Sequence, residues 1–129
     1  MSQEKVEAAR RVVEDEINAG KIGARFDALF DPQVAFRDEL GTLDSRMDLR
    51  AYIQTFQETF EDFRIAIEDV QDHGDTILLV INQGGQGEAS GVEIEQRFTW
   101  VMTFSGDRCV RFHIYADHGE ALKAAGLSE

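Results

Sequence analysis

Apolar residues recur at helical spacing from the start of the chain, with Val6, Ala9, Val13 and Ile17 on one helix face. Ser2 suits the cap of that helix, and Gly20 in "NAG" suits its stop. A second, short helix carries Ile22, Phe26, Leu29 and Phe30, and "DP" at 31–32 closes it. "VAFRDELG" (34–41) then alternates as a strand, with Val34, Phe36 and Leu40 on one face. Asp38 shares that apolar face, opposite Arg37 and Glu39. "SRMD" reads as a capping box with Ser45 as the cap, and Leu49, Ile53, Phe56 and Phe60 form the stripe of a third helix.

Past Phe63 the period changes to two. "RIAIEDV" and "TILLVIN" flank "QDHGD", a hairpin signal. "GVEIEQRFTWVMTF" predicts a long strand with Val92, Ile94, Phe98, Trp100, Met102 and Phe104 in one parity. "SGDR" turns the chain into a last strand, "CVRFHIYA", and "GEALKAAG" adds a short helix. Helices segregated from an antiparallel meander predict an α+β fold.

Length and composition narrow the picture. A chain of 129 residues is one domain, large enough to bury a real core. Thirteen basic against 25 acidic residues give a net charge of -12. That field repels nucleic acid and anionic membrane surfaces, so neither is an expected partner. The longest apolar run, "ILLVI", is too short to span a bilayer, and the charged start lacks a signal-peptide core. The expected location is the cytoplasm. A single cysteine, Cys109, excludes an internal disulfide framework and a cysteine-rich zinc site.

Several stretches invite a chemical reading and yield a plainer one. "GGQGEAS" leads into a strand, whereas a dinucleotide fingerprint leads into a helix, so it reads as a hairpin tip. His113, Asp117 and His118 lack metal-ligand spacing, so no metal is expected. Asp117, with Glu120 three residues on, matches a helix cap. Cys109 has the marks of an ordinary thiol, and Glu93, Glu95 and Arg97 those of a solvated or subunit-facing sheet surface. Asp38 remains. Burial penalises a charged carboxylate and raises its pKa, which suits a general acid or base near neutral pH. The alternative is a structural carboxylate held by a donor such as Trp100 or Tyr52.

Four stretches together carry a family resemblance: "INAGKIGARFDALFDPQVAFRDELGTLD", "LRAYIQTFQETFEDFRI", "GVEIEQRFTWVMTF" and "VRFHIYADHGEAL". In order and spacing, residues 5 to 127 resemble the SnoaL-like, polyketide cyclase-like branch of the nuclear transport factor 2-like superfamily. The resemblance implies a curved antiparallel sheet wrapped around a cone-shaped pocket, with N-terminal helices closing it. It also implies a homodimer, and the outer parity of Thr99, Val101 and Thr103 offers a sheet face for it; a small hydrophobic ligand is expected, and proton-transfer chemistry of this kind needs no cofactor. Family activities include polyketide cyclisation, steroid isomerisation, epoxide hydrolysis and dehydration.

Residue by residue, the resemblance aligns Asp38 with the proton-shuttling aspartate of ketosteroid isomerases. Their oxyanion-hole tyrosine and second acid fall on Val13 and Trp100, of which only the indole N–H still donates. The paired acids of limonene-type epoxide hydrolases fall on Ile114 and Thr99, with Arg97 present. The polyketide cyclase acid near the end of the last strand has Asp117 and His113 as its candidates. The expected protein is a pocket protein for a small apolar ligand. It is either a cyclase- or isomerase-type enzyme with Asp38 as acid or base, or a non-catalytic ligand-binding or dimerisation module. Phe36, Leu40, Tyr52, Phe56, Phe98, Trp100, Met102, Phe112 and Ile114 are expected to line the pocket.

Overall fold

A computed structural model describes residues 2–87 and 93–126. The chain opens with α1 (Ser2–Arg11), a π-helical turn (Val12–Ile17) and α2 (Ala24–Leu29). Strand β1 (Phe30–Asp38), the short β2 (Gly41–Leu43) and α3 (Arg46–Thr59) follow. Four long elements then form a meander: β3 (Phe60–His73), β4 (Thr76–Gly87), β5 (Glu93–Ser105) and β6 (Arg108–Tyr115). A last helix, α4 (His118–Ala124), ends the described part. The six strands form one curved sheet in the order β2-β1-β6-β5-β4-β3, so the fold is α+β as expected.

One pairing departs from the antiparallel scheme. β1 lies parallel to β6, with Phe36 beside Phe112 and Arg37 beside His113. The crossover between them contains β2, α3 and β3 to β5, the long connection that parallel neighbours need. The parallel pair brings Phe36 and Phe112 together on the concave face.

The first helix does not run regularly to Ile17. The Asn18 and Lys21 N–H groups reach back five residues, to Val13 O and Glu16 O. The extra residue in each turn rotates Val12, Val13, Glu16 and Ile17 onto one buried face. Glu16 is buried for a local reason. Its carboxylate accepts the N–H groups of Gly23, Arg25 and Phe26 at 3.0, 2.9 and 2.9 Å. It thereby caps α2, whose own N-cap residue, Gly23, has no side chain to do so. Asn18 exchanges two hydrogen bonds with the backbone of Ile65, at 2.8 and 2.7 Å. Gln57 Nε2 donates to Ile17 O at 2.8 Å. These bonds tie the N-terminal helices across the mouth of the curved sheet.

Other local signals fold as the sequence predicts. Ser45 accepts the N–H of Asp48, and Asp117 that of Glu120, so both caps form. Gly74, at φ 81°, makes the tight turn between β3 and β4. The second helix ends one residue early. Phe30 is already strand, and Asp31 and Pro32 lie inside β1. Pro32 is tolerated because β2 pairs only with residues 36–38 of β1.

The concave face carries the core: Leu79, Ile81, Trp100, Met102 and Phe112 pack against Val13, Phe26, Leu49 and their neighbours. Ile94, in the same parity as Trp100, lies near the strand end and is exposed, while Val92 falls outside the described residues. The convex face has a smaller cluster, in which Ala121 and Leu122 of α4 cover Leu78 and Val101. Thr99 is buried there too, with its hydroxyl 2.9 Å from His118 Nδ1. The chain therefore covers Thr99 and Val101 itself, and these two are withdrawn from any partner surface. Glu93, Glu95 and Arg97 are exposed on the convex side; Glu95 accepts from Asn82, and Arg97 pairs with Glu68 at 2.8 Å.

A two-chamber candidate ligand site

The concave face encloses a cavity of about 50 Å³ between the sheet, the N-terminal helices and α3. Apart from Tyr52, Gln83 and Trp100, its lining side chains are apolar. A single water needs roughly 10–15 Å³ of such space, so the cavity admits a few waters or a small apolar group. Outside it lies a more open chamber of about 250 Å³. Tyr52, Phe56, Gln83 and Ile114 line both spaces and form the neck between them.

The walls are built by parity and by aromatic stacking. Phe112 is the hub, with its ring 5.3 Å from Phe36, 5.0 Å from Trp100 and 5.5 Å from Phe30. Phe36 packs on Tyr52 at 5.5 Å, and Tyr52 on Phe56 at 5.1 Å. Separations of this size are the favourable range for aromatic pairs. Trp100 is 6% exposed, and its Nε1–H is buried without a partner among the described residues. An unpaired buried donor carries a desolvation cost that an acceptor within the cavity would relieve.

Asp38 is not buried in the cavity. It stands half-buried at the last position of β1 and faces the outer chamber. Oδ1 accepts the N–H groups of Leu40 and Gly41 at 2.8 and 3.1 Å. Oδ2 accepts the phenol of Tyr52. The carboxylate thus fixes the β1–β2 turn and holds Tyr52 at the neck in one orientation. Burial pushes the Tyr52 phenol above its ordinary range, and the bond to Asp38 and that carboxylate's charge push it further. The phenol therefore stays protonated through the neutral range, donating to Asp38 while its oxygen can still accept from a ligand.

The other expected lining residues divide between the two spaces. Phe36, Trp100, Met102 and Phe112 line the inner cavity, and Phe98 the outer chamber. Leu40 departs most from expectation. β1 ends at Asp38, so Leu40 sits in the turn, 84% exposed at the outer rim. Gln83 is a neck residue that the sequence reading missed. It follows Ile77, Leu79 and Ile81 in the parity that faces the cavity, and that parity was the available signal.

The remaining candidates lie elsewhere. His113 is on the convex side of β6 beside Arg37, with Nδ1 3.3 Å from the Tyr115 hydroxyl. Burial lowers its pKa, and Arg111 and Arg37 lower it further. Asp117 caps α4, His118 faces Thr99, and Ile114 lies at the neck. Cys109 is buried, and burial pushes its thiol up to about 12. Of "GGQGEAS", Gly84–Gly87 end β4 and the rest lies outside the described residues. A wider recess of about 520 Å³ runs between α1, α2 and two hairpin turns. Its cations pair with carboxylates: Lys5 with Asp75, Arg11 with Glu7 and Arg25 with Asp15.

Solved structures of the same shape are numerous. A candidate SnoaL-like polyketide cyclase from Jannaschia sp. CCS1 superposes with a TM-score of 0.79 at 14% identity, covering 95% of this chain and 92% of that one. AclR from Streptomyces galilaeus, a candidate hydroxylase, does so with a TM-score of 0.78 at 13% identity, covering 98% of each chain. A hypothetical protein of ketosteroid isomerase-like fold from Catenulispora acidiphila, in complex with trimethylamine, has a TM-score of 0.70 at 18% identity, covering 98% and 95%. At such identities the likeness shows the fold alone. Comparison with curated proteins finds no match. The family model of the SnoaL-like domain matches residues 9–112, the segment that runs from the first cavity-lining helix to Phe112, and the chain therefore belongs to the SnoaL-like family.

Proposed function

We propose that the protein binds a small, mostly apolar molecule across the two chambers, with the linked Asp38 and Tyr52 side chains fixing its polar group. The observation that carries this reading is the Tyr52 phenol at the neck, held by a carboxylate and flanked by apolar walls. Concave apolar sites with a few convergent polar groups are the usual form of ligand sites. Trp100 reports on occupancy because it lines the inner cavity and is the only tryptophan. A panel of small aromatic and alkyl compounds should change its fluorescence saturably for at least one member. Trp100→Phe should remove the signal, and Tyr52→Phe should weaken binding of compounds that donate a hydrogen bond. If no compound gives a saturable change, this reading is wrong.

A second reading adds chemistry: a cyclase- or isomerase-type proton transfer with Asp38 as acid or base. It is favoured by Oδ2, whose one donor among the described residues is Tyr52 and which stands beside the open chamber. It is opposed by Oδ1, which is committed to the β1–β2 turn. Turnover of a bound ketone or enol that Asp38→Asn abolishes, while binding persists, would establish it. Binding without turnover leaves a ligand carrier. The same proposal keeps a homodimer, now through the part of the convex face that α4 leaves open, around Arg37, Thr103 and Arg111. Light scattering near the mass of one 14.5 kDa chain over a wide concentration range would exclude it.

A further inference from the structure

The charge of the outer chamber is one-sided. Among the described residues, its lining includes the carboxylates of Asp38 and Glu39 and no lysine, arginine or histidine. The neutral polar groups are Tyr52, Gln83 and Gln96, and the apolar wall includes the rings of Phe56 and Phe98. The arginines nearest in sequence are engaged elsewhere. Arg97 pairs with Glu68 across the convex face, and Arg46 and Arg50 both reach Asp27. Arg37 stands beside His113, also on the convex side.

A carboxylate or phosphate on a ligand would meet two like charges there and no counter-charge. A cation would meet two carboxylates, which attract it, beside the Phe56 and Phe98 side chains. The net charge of -12 adds a long-range pull of the same sign. The inner cavity supplies a second, independent observation. Its walls are largely apolar and too narrow for a bulky head group. The polarity of the site therefore runs one way, with positive charge favoured outside the neck and an apolar tail inside it.

On the reading that this pocket binds a ligand, we propose that the ligand class is an apolar amine. Its ammonium sits in the outer chamber against Asp38, Glu39 and the Phe56 and Phe98 rings, and its hydrocarbon tail passes the neck toward Trp100. The Tyr52 oxygen, already donating to Asp38, accepts one ammonium hydrogen.

Three probes with matched chains separate charge from shape: hexylamine, which is protonated at pH 7, 1-hexanol and heptanoate. Each is titrated into the full chain at low salt and followed by Trp100 fluorescence and calorimetry. The expected result is that hexylammonium binds at least tenfold more tightly than hexanol and that heptanoate binds most weakly. Raising the salt should weaken hexylammonium and leave hexanol unchanged. Glu39→Gln replaces an exposed side chain with no hydrogen bond among the described residues, so it should fold normally and reduce the preference. Asp38→Asn should reduce it further. Hexanol binding as tightly as hexylammonium, or heptanoate binding more tightly, overturns the amine assignment while the pocket stands. Absence of saturable binding for all three overturns the pocket and the assignment together.

Discussion

Tyr52→Phe removes one oxygen and leaves the ring in place. The Phe36 and Phe56 contacts, at 5.5 and 5.1 Å, persist, so no cavity opens. What disappears is one of three donors to the Asp38 carboxylate among the described residues; the other two, from Leu40 and Gly41, remain. A hydrogen bond to a charged group is worth roughly 1.5–3 kcal/mol when buried. Asp38 is half-buried, so water replaces the phenol in part, and the expected cost is about 1 kcal/mol at pH 7. In a domain of this size that lowers Tm by roughly 3–5 °C.

The pH dependence makes the test sharper. The folded Tyr52 pKa is raised above its ordinary value of 10.0, so folding favours the protonated phenol. That contribution is complete below the unfolded pKa, near 10, and is lost as pH rises from there through the folded value. The wild-type advantage over Tyr52→Phe should be constant from pH 7 to about 9.5 and should shrink above pH 10. Urea unfolding at pH 7, 9.5 and 11 reads it directly. Equal stability at pH 7, or a gap that widens above pH 10, would refute the Asp38–Tyr52 bond as described.

Two further predictions concern buried groups. Glu16→Ala strips three backbone N–H groups of their acceptor and should cost about 3 kcal/mol or more by denaturant unfolding. Glu16→Gln keeps one oxygen and should cost less, and equal stability of all three proteins would contradict the capping role. Cys109, buried with its thiol raised to about 12, should resist iodoacetamide at pH 8 in the folded protein and react in urea. Rapid modification of the native protein would place the thiol at the surface.

The residues that obeyed the sequence reading are those governed by local rules. The caps at Ser45 and Asp117, the Gly74 turn and the alternation along β4 and β5 need only near neighbours. The failures are tertiary or competing. Asp38 and Gly41 stand at the first and fourth positions of a turn, and that turn chemistry outweighed the alternation that placed Leu40 on the strand face. The π-helical turn follows from the need to bury four side chains on one face and to aim Glu16 at α2, which no period of 3.6 signals. Burial of Thr99 and Val101 depended on where α4 docks, and the parallel β1–β6 pair on a contact between distant segments. Parity placed Trp100, Met102, Phe112 and Ile114 on the side of the sheet that faces the cavity but did not show that the space has two chambers with Tyr52 between them.

Because Trp100 is the only tryptophan, its indole N–H gives a single, assignable signal in a proton–nitrogen correlation spectrum. That proton is buried in the cavity wall and lacks a protein acceptor among the described residues. Titration with hexylamine should shift it progressively to saturation, with the amide signals of Tyr52, Phe56 and Gln83 following the same isotherm. A Trp100 signal that stays fixed while hexylamine moves only amides of the convex face or the α1–α2 recess would mean that the two-chamber pocket is not the binding site.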